Sequence, residues 1–596
     1  MRRASAVGPP ASLGVVVNPS SRVASAGPLV APSETVKSAT STLGCDDPGS
    51  VLALIDAAAV AGGAFAAVGV ALLAGVTATP LAGAGVAVCV AVGGRRALVV
   101  VARLRRTRAL SGATALVGRA ALWLRLEPTA ERAASFAAET GDGDLASSLA
   151  THARAARGTP ESGLRRFGDS WSESFPPLSR SCALLCAAAA AGADDRAAML
   201  DRAVASVREG TRDRAARFAA DARTTVAGVY AGGVLLPLAL VGVLPAARVA
   251  GVGVSLPALA AVYDCLLPVG LVAASASVVS ERPVAFPPSP VPSAHPALPD
   301  GRRRELAVGV AAAVVGGVVT LPVAEWATFL SVVGFGVGAW AVAAYGPAKR
   351  AREDVRDIES RLADAATLLG RRVATGESVE TALEGVAEEL PGSTGDALAT
   401  AARRSRRLGL PVEAGLLGSD GVFETVPSAR GSELATMVGL AAREGRPAGE
   451  LLIALGDHLD ALDAVEREAR RELAATTRTL TNTAALFGPL VGGATVALAG
   501  RLSAGDVASG AGAGTAGAAN AVGASPVGGG LAPVPVGGLG LVIGTYVLLS
   551  AVVLTALATS LDRGLDRAVV GYRVGVALIA ATATFLAAFV GARAVL

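Results

Sequence analysis

Charge is what this sequence holds least of for its size. Only 17% of its 596 residues are charged and 52% are hydrophobic, whereas a soluble domain carries about 25% charged residues. That balance argues against a wholly soluble multi-domain enzyme, and the mean hydropathy of +0.53 agrees. Aromatic residues reach only 4%, too few for platforms that stack bases or sugars. The three histidines, His152, His295 and His458, are too far apart for a helical two-histidine metal site. Five scattered cysteines (Cys45, Cys89, Cys182, Cys186, Cys265) give neither a disulfide framework nor zinc-ribbon spacing. Cys182 and Cys186 lie four apart in an apolar helical stretch and read as small buried residues on one helix face. Lysine is nearly absent: of 53 basic residues only Lys37 and Lys349 are not arginine. Glycine is plentiful, at 72 residues, but follows no three-residue period, which excludes collagen.

The motifs of common enzymes are missing too. There is no glycine-rich P-loop, no G-x-S-x-G elbow and no dinucleotide fingerprint. The expectation is therefore a non-enzyme with no cofactor, no metal and no nucleic-acid partner.

What the chain does have is long apolar runs. About 20 apolar residues cross a bilayer core of ~30 Å, and such runs give about nine transmembrane helices. A polar tail over 1–50, read as poorly ordered and not as a signal peptide, precedes a pair at 51–94, whose only charge before Arg95 is Asp56. A second pair lies near 226–245 and 254–279, within 224–280, and a linker spans 281–304. The third pair falls near 305–322 and 326–346, and the last three spans fall near 483–500, 536–558 and 572–592, within 481–596. A Gly/Ala-rich external loop at 503–533 reads as a flexible spacer.

Arginine placement orients these spans, because cytoplasmic loops are enriched in basic residues. Arg95, Arg96, Arg103, Arg105, Arg106 and Arg108 follow the first pair, and Arg302, Arg303 and Arg304 precede the third. Lys349, Arg350 and Arg352 follow it. Placing these inside the cell puts the N-terminus inside and, with nine spans, the C-terminus outside. Two inserts, 95–223 and 347–480, then form cytoplasmic helical bundles, and the fold class is an all-α polytopic membrane protein.

The inserts repeat each other. GTPESGL at 158–164 matches GLPVEAGL at 409–416, and an offset of 253 places Gly192 opposite Gly445 and Thr224 opposite Thr477. Their charges differ: 95–223 holds 21 basic and 14 acidic residues, net +7, and 347–480 holds 18 and 23, net −5. Opposite signs could pair the inserts with each other, with a second copy or with different partners, and a basic insert favours anionic lipid. Solvated faces with the ordinary inside bias are the plainer alternative.

LLGRRVATGESVETALEGVAEEL (368–390) and ATMVGLAAREGRPAGELLIALGDHLDALDAVEREAR (435–470) resemble the type II secretion system F domain. The second stretch carries Gly-x4-Glu-Gly-x3-Gly-x-Leu across Gly439, Glu444, Gly445, Gly449 and Leu451. Ala191 stands where Glu444 stands in the other copy, so the first copy departs from the pattern. The family comprises platform proteins of type II secretion systems and type IV pili, including archaeal pili and archaella. The resemblance implies a multi-pass protein of the cell membrane, a docked cytoplasmic ATPase, pilin-like subunits lifted from the bilayer, and a homo-oligomer.

Residues 444–450 read as a helix–turn–helix junction, with Gly445 ending one helix and Pro447 in the first turn of the next. A capped hairpin without ligand is one reading. The other adds a partner contact through Arg443, Glu444, Gly445, Arg446 and Gly449. Asp264 is the ionisable residue deep in a span, where it reads either as packing or as a functional group. A secondary transporter or exporter built on a duplicated bundle is the alternative to the platform, although its halves lack matching intramembrane charges.

Overall fold

The computed structural model describes residues 55–56, 91, 93–95, 98–105, 107, 109–110, 112–141, 143–249, 256–282, 302–418, 421–426, 428–444, 446–512 and 536–595. The tail expected at 1–50 lies outside them, as do most of the apolar pair at 51–94, linker residues 283–301 and loop residues 513–535. The described residues are helical or connect helices, and none forms a strand. The chain divides into two compact units, Met1–Arg105 and Arg106–Leu596.

In the first unit, Asp56 accepts hydrogen bonds from Arg95 Nη2 on both carboxylate oxygens, at 2.8 and 2.9 Å. The lone acidic group of an apolar run is thus paired, as burial of a carboxylate requires.

The second unit opens with six helices: α1 (Ala113–Leu126), α2 (Ala130–Thr140), α3 (Asp144–Ala156), α4 (Gly163–Ser170), α5 (Pro176–Ala190) and α6 (Ala193–Tyr230). A π-helical turn, Ala231–Leu235, carries α6 into α7 (Leu236–Val249). Then come α8 (Leu256–Ala260), a second π-turn (Ala261–Leu266), α9 (Leu267–Glu281), α10 (Arg302–Thr320) and α11 (Glu325–Glu359). A further set follows: α12 (Leu362–Ala374), α13 (Val379–Glu389), α14 (Ser393–Leu408), α15 (Val412–Leu417), α16 (Val422–Thr425), α17 (Ala429–Glu444) and α18 (Arg446–Asn482). A third π-turn, Thr483–Phe487, leads into α19 (Gly488–Gly512), and α20 (Val536–Arg563) and α21 (Arg567–Val595) complete the chain.

Local chemistry explains where these helices start and stop. Pro176 and Pro177 occupy the first turn of α5, where a missing N–H costs nothing. Ser378 Oγ accepts the Thr381 N–H at 3.2 Å and caps α13. Apolar faces at helical spacing then close two cores. One gathers Leu116, Leu149, Phe167, Leu178 and Leu185 from the first set. The other gathers Leu362, Leu369, Leu383, Leu398 and Leu455 from the second, and takes in Leu122 of α1.

The two sets keep step along the chain. The first four helix starts recur 249 residues later: Ala113 and Leu362, Ala130 and Val379, Asp144 and Ser393, Gly163 and Val412. The last two recur after 253 residues, Pro176 with Ala429 and Ala193 with Arg446. The four-residue difference arises where the second set adds α16. Backbone conformation repeats too: Gly143 (φ 89°) and Gly392 (φ 87°) precede α3 and α14, in a region essentially confined to glycine. Gly158 (φ 78°) and Gly409 (φ 62°) follow those same helices. The π-turns Ala231–Leu235 and Thr483–Phe487 lie 252 residues apart.

Among the described residues, six helices are long and apolar enough to cross a membrane: Ala193–Val243, Leu256–Glu281, Glu325–Ala374, Gly449–Arg501, Val536–Arg563 and Arg567–Val595. Their apolar stretches coincide with the spans expected at 226–245, 254–279, 326–346, 483–500, 536–558 and 572–592. The span expected at 305–322 forms helix α10, whose first turn holds Arg302, Arg303, Arg304 and Glu305. The remaining 15 or so residues reach about 22 Å, short of a ~30 Å core. Large apolar side chains stay exposed along these helices, among them Leu236, Val318 and Phe329. One boundary shifts: α19 continues to Gly512, about ten residues into the loop expected from 503.

Candidate functional site

Two features draw the helical sets together around the long helices α6 and α18. Each of these helices leaves its set and passes, through a π-turn, into an apolar stretch without a break. A π-turn inserts one residue into an α-helix, and such turns concentrate at functional positions. Where the two helices approach their apolar stretches, Arg223 Nη2 of α6 lies 2.7 Å from Glu472 Oε2 of α18. That pair is exposed and contributes little stability, but it fixes which turns of the helices face each other.

Beneath it lies a buried polar contact. Arg119 Nε of α1 donates to Glu433 Oε1 of α17 at 3.1 Å, with side chains only 10% and 5% exposed. His458 of α18 is buried beside them, and neither ring nitrogen has a hydrogen-bond partner among the described residues. Gly118 makes room for the ring: a Cβ there would stand 2.8 Å from His458 Cε1. Burial lowers the His458 pKa below its usual value, and Arg119, Arg208 and Arg430 lower it further against the pull of Glu433. Burial and the three arginines thus disfavour the charged imidazolium. Arg430 adds a second link, to Asp463 at 2.5 Å and Glu466 at 3.3 Å.

The expected partner turn is partly in view. Helix α17 ends at Glu444 and α18 starts at Arg446, with Pro447 in its first turn. Gly445 lies outside the described residues, and so do the side chains of Glu444 and Arg446. Arg443 is exposed, with Nη2 3.7 Å from Glu413 Oε2. Gly449 is buried and belongs to the bundle, not to a partner surface. A Cβ on it would meet Ala374 N at 2.5 Å and Gly370 O at 2.8 Å, so it allows α12 and α18 to cross closely.

Asp264 sits half-buried in the π-turn Ala261–Leu266, and its Oδ1 is shielded without a hydrogen-bond partner among the described residues. Next to it, Tyr263 donates to Pro237 O at 2.6 Å and packs edge-on against Tyr546, ring centres 5.4 Å apart. Tyr546 in turn donates to Gly233 O inside the first π-turn. Of the two cysteines expected to be buried, Cys182 is, and burial pushes its thiol pKa up, whereas Cys186 one turn on is only half-buried. No group of three or more His, Cys, Asp or Glu among the described residues is arranged to hold a metal ion.

Sequence reasoning passed over Arg119 and Glu433. The local signal was there: Arg119 interrupts an otherwise apolar stretch of α1, a position that calls for a buried partner. Comparison with protein-family models, curated proteins and solved structures finds no match to the chain.

Proposed function

We propose that this chain is a non-enzymatic platform protein of the cell membrane, in a type IV pilus-like or type II secretion-like assembly machine. Its N-terminus lies inside the cell, its C-terminus outside, and nine helices cross the bilayer, the bilayer thinning around the short apolar run of α10. The observation that carries the reading is the paired layout of α6 and α18. Each closes a set in which the same six helices recur in order, the second set adding α16, and each enters an apolar stretch through a π-turn. A helix continuous from bundle to apolar stretch carries a push or rotation between them, and a π-turn along it supplies a point at which it bends. In this reading a cytoplasmic ATPase docks on the bundles, near Arg443, Glu444 and Arg446. Its nucleotide-driven movements pass along α6 and α18 and help lift pilin-like subunits from the bilayer.

Asp264 supports a second reading, a secondary transporter or exporter, because a shielded carboxyl group in an apolar helix is a candidate proton or ion site. Deleting the chain from its source organism separates the two. The platform reading expects loss of surface filaments or of secreted subunits, with both restored by an Asp264→Asn copy. Intact filaments with impaired solute uptake or efflux, unrestored by Asp264→Asn, would favour the transporter.

A further inference from the structure

Three helices bring a basic cavity together at their polar ends, and neither functional reading uses it. Its volume is about 240 Å³, and Lys349, Arg352, Arg356, Arg563 and Arg573 line it with a single carboxylate, Glu353. The residues numbered 349–356 follow the apolar stretch of α11. Arg563 closes α20, and Arg573 lies in the second turn of α21.

Carboxylates in and around the cavity do not balance these cations. Lys349 Nζ lies 2.8 Å from Glu353 Oε1 and 4.9 Å from the centre of the Tyr572 ring. Asp562 is shared, with Oδ2 3.0 Å from Arg573 Nη1 and 3.5 Å from Arg563 Nε. Arg352 Nε is 3.0 Å from Asp566 Oδ2, yet neither atom makes a hydrogen bond among the described residues. The other oxygen of Asp566 accepts the Ala568 N–H at 3.0 Å, at the start of α21. Among the described residues Arg356 has no ion pair within 4.0 Å, and the carboxylates that act on it from farther off are Glu466 and Asp566, against Arg563 and Arg470. Five lining cations, with Arg470 acting on Arg356 from beyond them, thus face the four carboxylates Glu353, Asp562, Asp566 and Glu466, and the excess sits in a partly enclosed space where charge is weakly screened.

Position and size then narrow the ligand. The apolar stretches of α11, α20 and α21 end or begin within a few residues of Lys349, Arg563 and Arg573. The cavity therefore lies at the depth of lipid headgroups, on the side where basic residues gather. At about 30 Å³ per water, it holds a phosphate group with a few waters. It is smaller than the ~300–1,000 Å³ pockets of drug-sized ligands, which tells against a whole nucleotide. Guanidinium groups match phosphate oxygens in charge and in paired hydrogen-bond geometry.

We propose that this cavity binds the phosphate group of an anionic phospholipid from the adjoining leaflet, tying the polar ends of α11, α20 and α21 together. The proposal rests on these helices spanning the membrane and is independent of the platform reading.

The test titrates the full-length chain, in mild detergent, with phosphatidylglycerol, phosphatidylcholine or inorganic phosphate, and reads the melting temperature. Phosphatidylglycerol is expected to raise it at much lower concentration than phosphatidylcholine, and inorganic phosphate to shift it less. Arg356→Gln is the first variant, since it breaks no ion pair within 4.0 Å among the described residues and relieves repulsion from Arg563 and Arg470, so the lipid-free chain should melt near the parent. Its half-saturating phosphatidylglycerol concentration should rise about five-fold, the factor matching about 1 kcal/mol per basic residue at an anionic surface. Arg563→Gln provides the same test should the first variant fail to fold. Native mass spectrometry of the unaltered chain, expected to retain anionic over zwitterionic phospholipid, depends on neither. Equal stabilisation by both lipids, or unchanged phosphatidylglycerol binding by the variants, overturns the assignment. Stabilisation by inorganic phosphate but not by phosphatidylglycerol makes a free anion the ligand and overturns the lipid source.

Discussion

Replacing Glu433 by Gln leaves the Arg119 guanidinium buried with no carboxylate to balance it. The Arg119 side chain is 10% exposed and that of Glu433 5%, so water cannot substitute for the lost charge. Removing one partner of a buried pair costs about 3–5 kcal/mol, a large part of a typical stability of roughly 5–15 kcal/mol. The loss should concentrate where the helical sets meet, because the pair joins residues 314 positions apart, on α1 and α17. Denaturant unfolding in mild detergent measures the total. Hydrogen exchange resolves its location, with α1 and α17 losing protection before the apolar stretches do. A double variant, Arg119→Met with Glu433→Leu, removes both charges and should return to within about 1 kcal/mol of the parent, since apolar replacement of a buried pair is often neutral. The reasoning fails if Glu433→Gln costs less than about 1 kcal/mol, or if the double variant is no more stable than the single one.

Three further outcomes follow from the same interior. His458 takes up a proton less readily when folded than when unfolded, so its contribution is fully present above its unfolded pKa of 6.5 and is lost as pH falls below it. Melting temperature should drop on acidification through that range, and His458→Leu should flatten the drop. Gly143→Ala and Gly392→Ala should each destabilise by about 1–3 kcal/mol, given their positive φ angles. By contrast, Gly192→Ala, at φ −64° with open space around it, should change stability by less than about 0.5 kcal/mol in the same melts, the gain from a stiffer unfolded chain offsetting the poorer helix cap. Tyr546→Phe removes the hydrogen bond to Gly233 O and should cost about 1 kcal/mol, with faster hydrogen exchange confined to the first π-turn and its neighbours.

Much of this architecture can be read along the chain because it is written locally. Apolar runs mark six of the helices long enough to cross a membrane, and Gly and Pro mark most of the bundle breaks. The repeat was visible in GTPESGL and GLPVEAGL, and the helix starts extend it across both sets. What local pattern cannot carry is pairing at a distance. Arg119 and Glu433 sit on helices more than three hundred residues apart, and nothing in either segment names the other. Lys349 and Arg352 were legible as charges that orient the spans, but only the fold brings them to Arg563 and Arg573. The π-turns left no mark either, since AGGVL and TAALF read as ordinary helix. In α10 the arginines that orient the chain also shorten the apolar run, so one set of residues signals both a span and its limit.

Affinity purification of the full-length chain from native membranes in mild detergent, with bound proteins identified by mass spectrometry, tests the platform reading most directly. The account predicts co-purification of a cytoplasmic assembly ATPase and pilin-like subunits, with the ATPase lost when Arg443, Glu444 and Arg446 are reversed in charge. A preparation that keeps its fold and retains neither partner would contradict it.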